Sequence, residues 1–191
     1  TEAVTDALNW LARNQETDGS WHPARWRGQN NSQIGLTGMG LLAFVRHSPL
    51  PEKDVNRSVV SHAVSYLLSQ QSPDGAIGGS HAEASYKHDL ATAALIETYT
   101  QPEYQPLLKE PIKKALAYMR QSNAPSRQGT AARQAPPPNQ FIWHFHALSL
   151  AKQNGFSVAA PLFHDALAQL DRLTAASGLY SSFPRSASAS S

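Results

Sequence analysis

Leu11-Ala-Arg-Asn-Gln15-Glu-Thr-Asp18-Gly19-Ser20-Trp21 and, further on, Leu67-Leu-Ser-Gln-Gln71-Ser-Pro-Asp74-Gly75-Ala-Ile77 keep the same spacing of Leu, Gln, Asp and Gly. Ile77 stands in the second copy where the first has Trp21. Two copies in phase mark a repeat junction with a period of roughly 55 residues, long for a helical hairpin. Fainter traces follow: Met119-Arg-Gln121 closes a helical run without the Gly-x-Trp, and Gly178-Leu-Tyr180 keeps Gly-x-aromatic without the glutamine.

Asp-Gly supplies a turn residue and a position that tolerates positive φ, so the preceding helix stops sharply. A planar amide and an aromatic ring remain. The Gln15 amide offers donors and an acceptor to orphan backbone groups at a neighbouring helix end, and Trp21 packs over it. The expected unit is a staple between adjacent hairpins, built from Gln15, Asp18, Gly19 and Trp21 and again from Gln71, Asp74 and Gly75.

The pattern Leu-x3-Gln-x3-Gly-x-Trp resembles the QW motif of the terpenoid cyclase and protein prenyltransferase superfamily, whose members are α/α toroids. More closely, the chain resembles the prenyltransferase/squalene-oxidase-repeat proteins. Their Gly- and Leu-rich inner helix is matched by Leu36-Thr-Gly-Met-Gly-Leu-Leu-Ala-Phe44, and a second inner helix by His88-Asp-Leu-Ala-Thr-Ala-Ala-Leu-Ile-Glu97-Thr-Tyr99. The likeness spans most of residues 1 to 184. It implies an all-α fold of stacked helical hairpins forming a partial toroid of about seven helices, and it does not transmit a reaction.

Composition narrows the function classes. At 191 residues and 41% hydrophobic content, the chain suits one globular domain over 1–184, with a flexible tail over 185–191. The longest apolar stretch, 34 to 45, is short and glycine-broken, so a buried helix is expected and no transmembrane segment. The chain begins at Thr1 and opens with no signal peptide, which leaves compartment and native length open. With no cysteine there is no disulfide, thiolate zinc site or cysteine nucleophile. A net charge of +2, with Lys113-Lys114 as the longest basic run, lacks the clustering a nucleic-acid footprint needs.

Apolar periodicity places outer helices at about 2–15, 53–71 and 103–122, and a last one starting near Pro161. Val4, Leu8 and Leu11 mark the first stripe, and Val60, Ala63, Val64, Leu67 and Leu68 the second. Ile112, Leu116 and Met119 mark the third, with an interruption or restart at Pro111. Leu162, Phe163, Ala166, Leu167, Leu170 and Leu173 form the fourth. Inner helices, apolar nearly all round, fall at about 32–47, 83–99 and 139–154, with Ser32 as a cap and Gly155 as a stop. The Ala-, Pro-, Gln- and Arg-rich stretch 123–138 is a linker long enough for a lid, a partner loop or disorder.

The motifs that would license an enzyme are mostly missing. There is no Asp-x-Asp-Asp acid, no cysteine for a prenyltransferase-type zinc site, and no Cys-Gly-Glu-Gln thioester. On the inner helices, Tyr86, His88, Asp89, Trp143, His144 and His146 are the candidate lumen-lining or ligand-binding residues. Asp89 near a helix N-terminus is favoured as an anion, and an adjacent imidazole suits acid-base work. The structural reading of the same residues is that His88 and Asp89 cap or bond buried backbone. His144 and His146, two apart, face different ways on a helix and make a poor chelate, so no metal or cofactor is expected. Trp21, Trp26 and Tyr180 read as packing, and His22, His47, His62 and His164 as rim residues.

The expected function is a non-catalytic binding or interaction module. The alternative is a terpenoid-cyclase-like or prenyltransferase-like enzyme holding an isoprenoid between the inner helices. Three outer–inner pairs plus one outer helix leave an open edge, to be covered by a second copy, by the remainder of a longer chain, or by the 123–138 segment. A hydrophobic small molecule is the other candidate partner.

Overall fold

A computed structural model describes residues 2–28, 32–47, 53–78, 84–122 and 138–173. Over these residues the protein is all-α, with seven helices: α1 (Glu2–Arg13), α2 (Gln33–Arg46), α3 (Lys53–Ser69), α4 (Ala84–Tyr99), α5 (Gln105–Ser122), α6 (Pro138–Gln153) and α7 (Ala160–Leu173). Short 3-10 turns at Pro23–Trp26 and Pro102–Tyr104 precede α2 and α5.

Two layers follow from the packing. Helix α4 lies between α2 and α6 and makes an inner row, while α3 packs on α2, α5 on α4 and α7 on α6; α1 touches both α2 and α3. The expected alternation of outer and inner helices is therefore present. Sequence explains the layering: α4 buries Leu90, Ala91, Ala93, Ala94, Leu95 and Ile96 completely, with no polar stripe to turn outward. Small side chains also let α2 approach it closely. A Cβ at Gly38 would sit 3.3 Å from Leu90, and one at Gly35 would sit 3.7 Å from Tyr86.

The outer helices show one-sided burial instead. Leu8 is buried in α1, and Val59, Val60, Ala63, Val64, Tyr66 and Leu67 are buried in α3. In α5 the buried stripe is Leu108, Ile112, Ala115, Leu116 and Met119. Pro111 does not interrupt this helix, contrary to the sequence expectation. The N–H it lacks is the one that would have bonded the carbonyl of Leu107, a residue on the exposed side of the helix. In α7, Ala166 is buried, while Leu162 and Phe163 pack partly against the core and Leu167 is exposed. The side chains of Leu170 and Leu173 lie outside the described residues.

Other boundaries shift by one or two residues. Ser32 occupies the N-cap position of α2 without a capping bond from its hydroxyl. Gly155 stops α6 with φ +76°. Most of the linker 123–138, the tail 185–191 and Tyr180 lie outside the described residues, as does the Trp26 side chain. No helix among the described residues is long and apolar enough to cross a membrane.

Candidate functional site

The two repeat junctions are built alike. Gln15 Nε2 donates to the carbonyl of Gly19 in its own turn and to that of Val59 in α3, both at 2.9 Å. Gln71 Nε2 does the same to Gly75 at 3.2 Å and to Pro111 of α5 at 3.0 Å. Each glutamine thus ties the turn that ends one outer helix to the next outer helix. The acceptor is a carbonyl inside a helix, where the sequence reading placed it at a helix end. A main-chain carbonyl has a second lone pair beyond its helical bond, which the amide takes.

The turns themselves are closed by carboxylates. Asp18 Oδ1 accepts from the backbone N–H of Ser20 at 2.9 Å and from its hydroxyl at 2.7 Å. Asp74 Oδ1 accepts from the Ser72 hydroxyl and from the Ala76 N–H. The bond from Ser72 is the main reason the Asp74 carboxyl is held below its ordinary range. Gly19 and Gly75 have φ of +90° and +96°. A Cβ on either would fall on a main-chain carbonyl, that of His62 or of Lys114.

Trp21 is 3% exposed. Its indole N–H donates to the carbonyl of Leu11 at 2.9 Å, in the last turn of α1, and its ring stacks on Phe44 with centroids 6.2 Å apart. Gly40 leaves the notch this ring occupies, since a Cβ there would stand 2.7 Å from it. The Trp21 N–H donates to Thr37 Oγ1. In the second copy Ile77 takes the place of Trp21, and its N–H donates to His88 Nδ1 at 3.0 Å.

That bond fixes the tautomer of His88. An amide N–H only donates, so Nδ1 accepts, and the proton on Nε2 donates to the Ala115 carbonyl of α5 at 3.2 Å. The ring meets the edge of Tyr118 at 4.9 Å. Burial pushes the imidazole below its ordinary value, against the opposing pull of Asp89. His88 therefore does in copy two what Thr37 does in copy one, and reaches through to the outer layer as well.

Asp89, one residue on, points another way because successive helical positions are about 100° apart. It lies in the second turn of α4 and is buried, with its Oδ2 accepting from His144 Nδ1 of α6 at 3.1 Å. A buried carboxylate needs such a partner. Tyr86 sits half-buried toward α2, and burial raises its phenol above the ordinary value. Thr92, also on α4, buries a hydroxyl that has no hydrogen-bond partner among the described residues.

A second polar tie joins all three inner helices. Arg46 of α2 pairs with Glu97 of α4 at 2.6 Å, and the same guanidinium nitrogen lies 2.9 Å from His146 Nε2 of α6. Arginine has only donors, so His146 accepts at Nε2. Burial first, and the Arg46 charge second, hold its imidazole below the ordinary value. The Trp143 ring packs on the His146 ring at 5.7 Å. Neither Arg46 nor Glu97 is among the site residues expected from sequence, although both occupy the last turns of expected inner helices.

The six inner-helix candidates therefore engage different neighbours. The structure brings together Asp89 with His144, and Trp143 with His146, while His88 and Tyr86 turn to α5 and α2. Among the described residues no group of three His, Cys, Asp or Glu side chains is placed to hold a metal ion. His47, His62 and His164 are exposed; His22 caps the 3-10 turn by accepting from the Ala24 N–H. An open groove of about 400 Å³ runs along α6, lined by Ile142, Trp143, Phe145, His146 and Ser149. No protein-family model, no curated protein and no solved structure matches the chain.

Proposed function

We propose that this protein is a non-catalytic interaction module of the α/α-repeat kind, and that its contact surface is the open stripe of α6. The observation that carries this reading is Ile142, a large apolar residue left 52% exposed beside Trp143 and Phe145 on the last helix of the inner row. Positions 142, 145, 146 and 149 follow helical i, i+3, i+4 and i+7 spacing, the pattern that receives another helix. No Lys, Arg, Asp or Glu lines the groove itself, and the Arg46 guanidinium beside His146 is already paired with Glu97, so two copies can face each other about a two-fold axis. The occupant we assign is the same stripe of a second copy.

The polar groups that suggested chemistry support the same reading through their partners. His88 bonds main chain at both nitrogens, Asp89 is tied to His144, and His146 is tied to Arg46. The enzyme alternative needs room for an isoprenoid between inner helices. Where α2 crosses α4 the two pack directly, with a Cβ at Gly38 3.3 Å from Leu90 and 3.5 Å from Ala91. The test is solution mass by light scattering across a dilution series, for the native chain and for Ile142→Glu. A dimer that dissociates in the variant while its helical circular dichroism persists supports the proposal; a native chain that stays monomeric at every concentration refutes it.

A further inference from the structure

Helix α5 carries cations along one edge. Lys109, Lys113 and Arg120, at i, i+4 and i+11, border a partly open cavity of about 550 Å³ whose other lining residues come from the end of α4, from α6, from the turn between α6 and α7, and from the first turn of α7. Its apolar floor includes Leu116, Leu148, Phe156, Val158 and Leu162. Tyr99 and Phe156 pack ring to ring at 4.9 Å at one end of it. No carboxylate is among the lining residues.

The charge is available to a ligand. Lys113 pairs with Glu110 across one exposed turn of α5, with both side chains more than half exposed, and such pairs contribute little. Lys109 and Arg120 have no ion pair among the described residues. A cavity within the usual size of a small-molecule pocket, with an apolar floor and cations on one rim only, is complementary to a chain with a negatively charged end. Arginine supplies a two-pronged grip on a carboxylate or phosphate, and lysine supplies a mobile point charge. The neighbouring stretch 123–137 does not complement this rim, since it contains Arg127 and Arg133 and no acidic residue.

We infer that this cavity is a binding site for a single-chain amphiphile with an anionic head, its chain on the Leu116–Leu148–Phe156 floor and its head at Lys113 and Arg120. The site lies apart from the α6 groove and does not depend on self-association.

The experiment is calorimetric titration of the full chain with decanoate, decyl phosphate and decanol, each below its aggregation concentration. Both anions are expected to bind saturably at one site, with decanol at least about tenfold weaker. Whichever anion binds more tightly names the head group. Lys113→Glu combined with Arg120→Glu, both exposed positions, is expected to weaken the anions at least about tenfold and leave decanol and the melting temperature unchanged. Ala117→Trp, which fills the cavity from its α5 wall, is expected to abolish all three. Decanol binding as tightly as the anions, no saturable heat from either anion, or indifference to the charge reversal would each overturn the assignment.

Discussion

The amide of Gln15 in α1's closing turn donates to the carbonyl of Val59 in α3, 44 residues away, at 2.9 Å. Gln71 and Pro111 repeat the relationship one hairpin later at 3.0 Å. Each of these bonds joins consecutive outer helices, which otherwise meet mainly through the inner row.

Gln15→Ala and Gln71→Ala are each expected to destabilise the fold by about 1–3 kcal/mol in urea unfolding, because two acceptors lose a donor in a partly buried turn. Gln15→Glu is expected to be worse than Gln15→Ala at neutral pH. It replaces the donor with a carboxylate facing two carbonyl oxygens. Equal stability of the Ala and Glu variants would contradict the donor role.

The glycines of the turns separate two effects that sequence alone merges. Gly19→Ala and Gly75→Ala combine left-handed backbone with a Cβ driven into the His62 or Lys114 carbonyl. Gly155→Ala has the left-handed backbone, φ +76°, and open space around it. The last is expected to cost about 1–2 kcal/mol, the backbone penalty alone, and the first two clearly more. Thermal melts of the three variants measure the difference.

His88 makes stability depend on pH. Burial holds its folded value below the unfolded value of about 6.5, so the unfolded chain binds this proton more readily. The stability it contributes is complete above the unfolded value and is lost as pH falls below it toward the lower folded value. Melting temperatures from about pH 8 to pH 5 should fall on the acid side, and His88→Gln, which keeps a donor and an acceptor but does not titrate, should flatten that slope. A slope unchanged in the variant would assign the pH dependence elsewhere.

Thr92 is the opposite case, a buried polar group without a partner. Thr92→Val removes the hydroxyl at nearly constant shape and is expected to be neutral or stabilising by about 1 kcal/mol. Chemical denaturation decides it; a loss greater than that would mean the hydroxyl is bonded.

Much of this architecture was legible because helix layering is written in periodicity. The α5 stripe at Ile112, Leu116 and Met119 and the all-round apolar α4 follow from residue spacing, and Gln-x3-Gly announced its junction because glycine answers a backbone demand no other residue meets as cheaply. The partners of the glutamines were not legible, since a carbonyl acceptor such as Val59 leaves no side-chain trace. The continuity of α5 through Pro111 was not legible either, since the buried stripe that holds the helix against α4 is a tertiary fact. The contacts of the candidate site residues were the least legible part. Tyr86, His88 and Asp89 are close in sequence but fan toward α2, α5 and α6, and the link between Arg46 and Glu97 required knowing that α2 and α4 lie side by side.

The claim that α6 is a self-association surface is tested most directly by a distance across it. The chain contains no cysteine, so Ser149→Cys places a single spin label at the edge of the groove, and Ser65→Cys places one on the exposed side of α3 as a control. Pulsed electron paramagnetic resonance should give one narrow, short interspin distance for the Ser149 label, fading on dilution and with Ile142→Glu, and a longer or absent one for the Ser65 label. No dipolar signal from the Ser149 label at concentrations where the chain is fully folded would contradict the account.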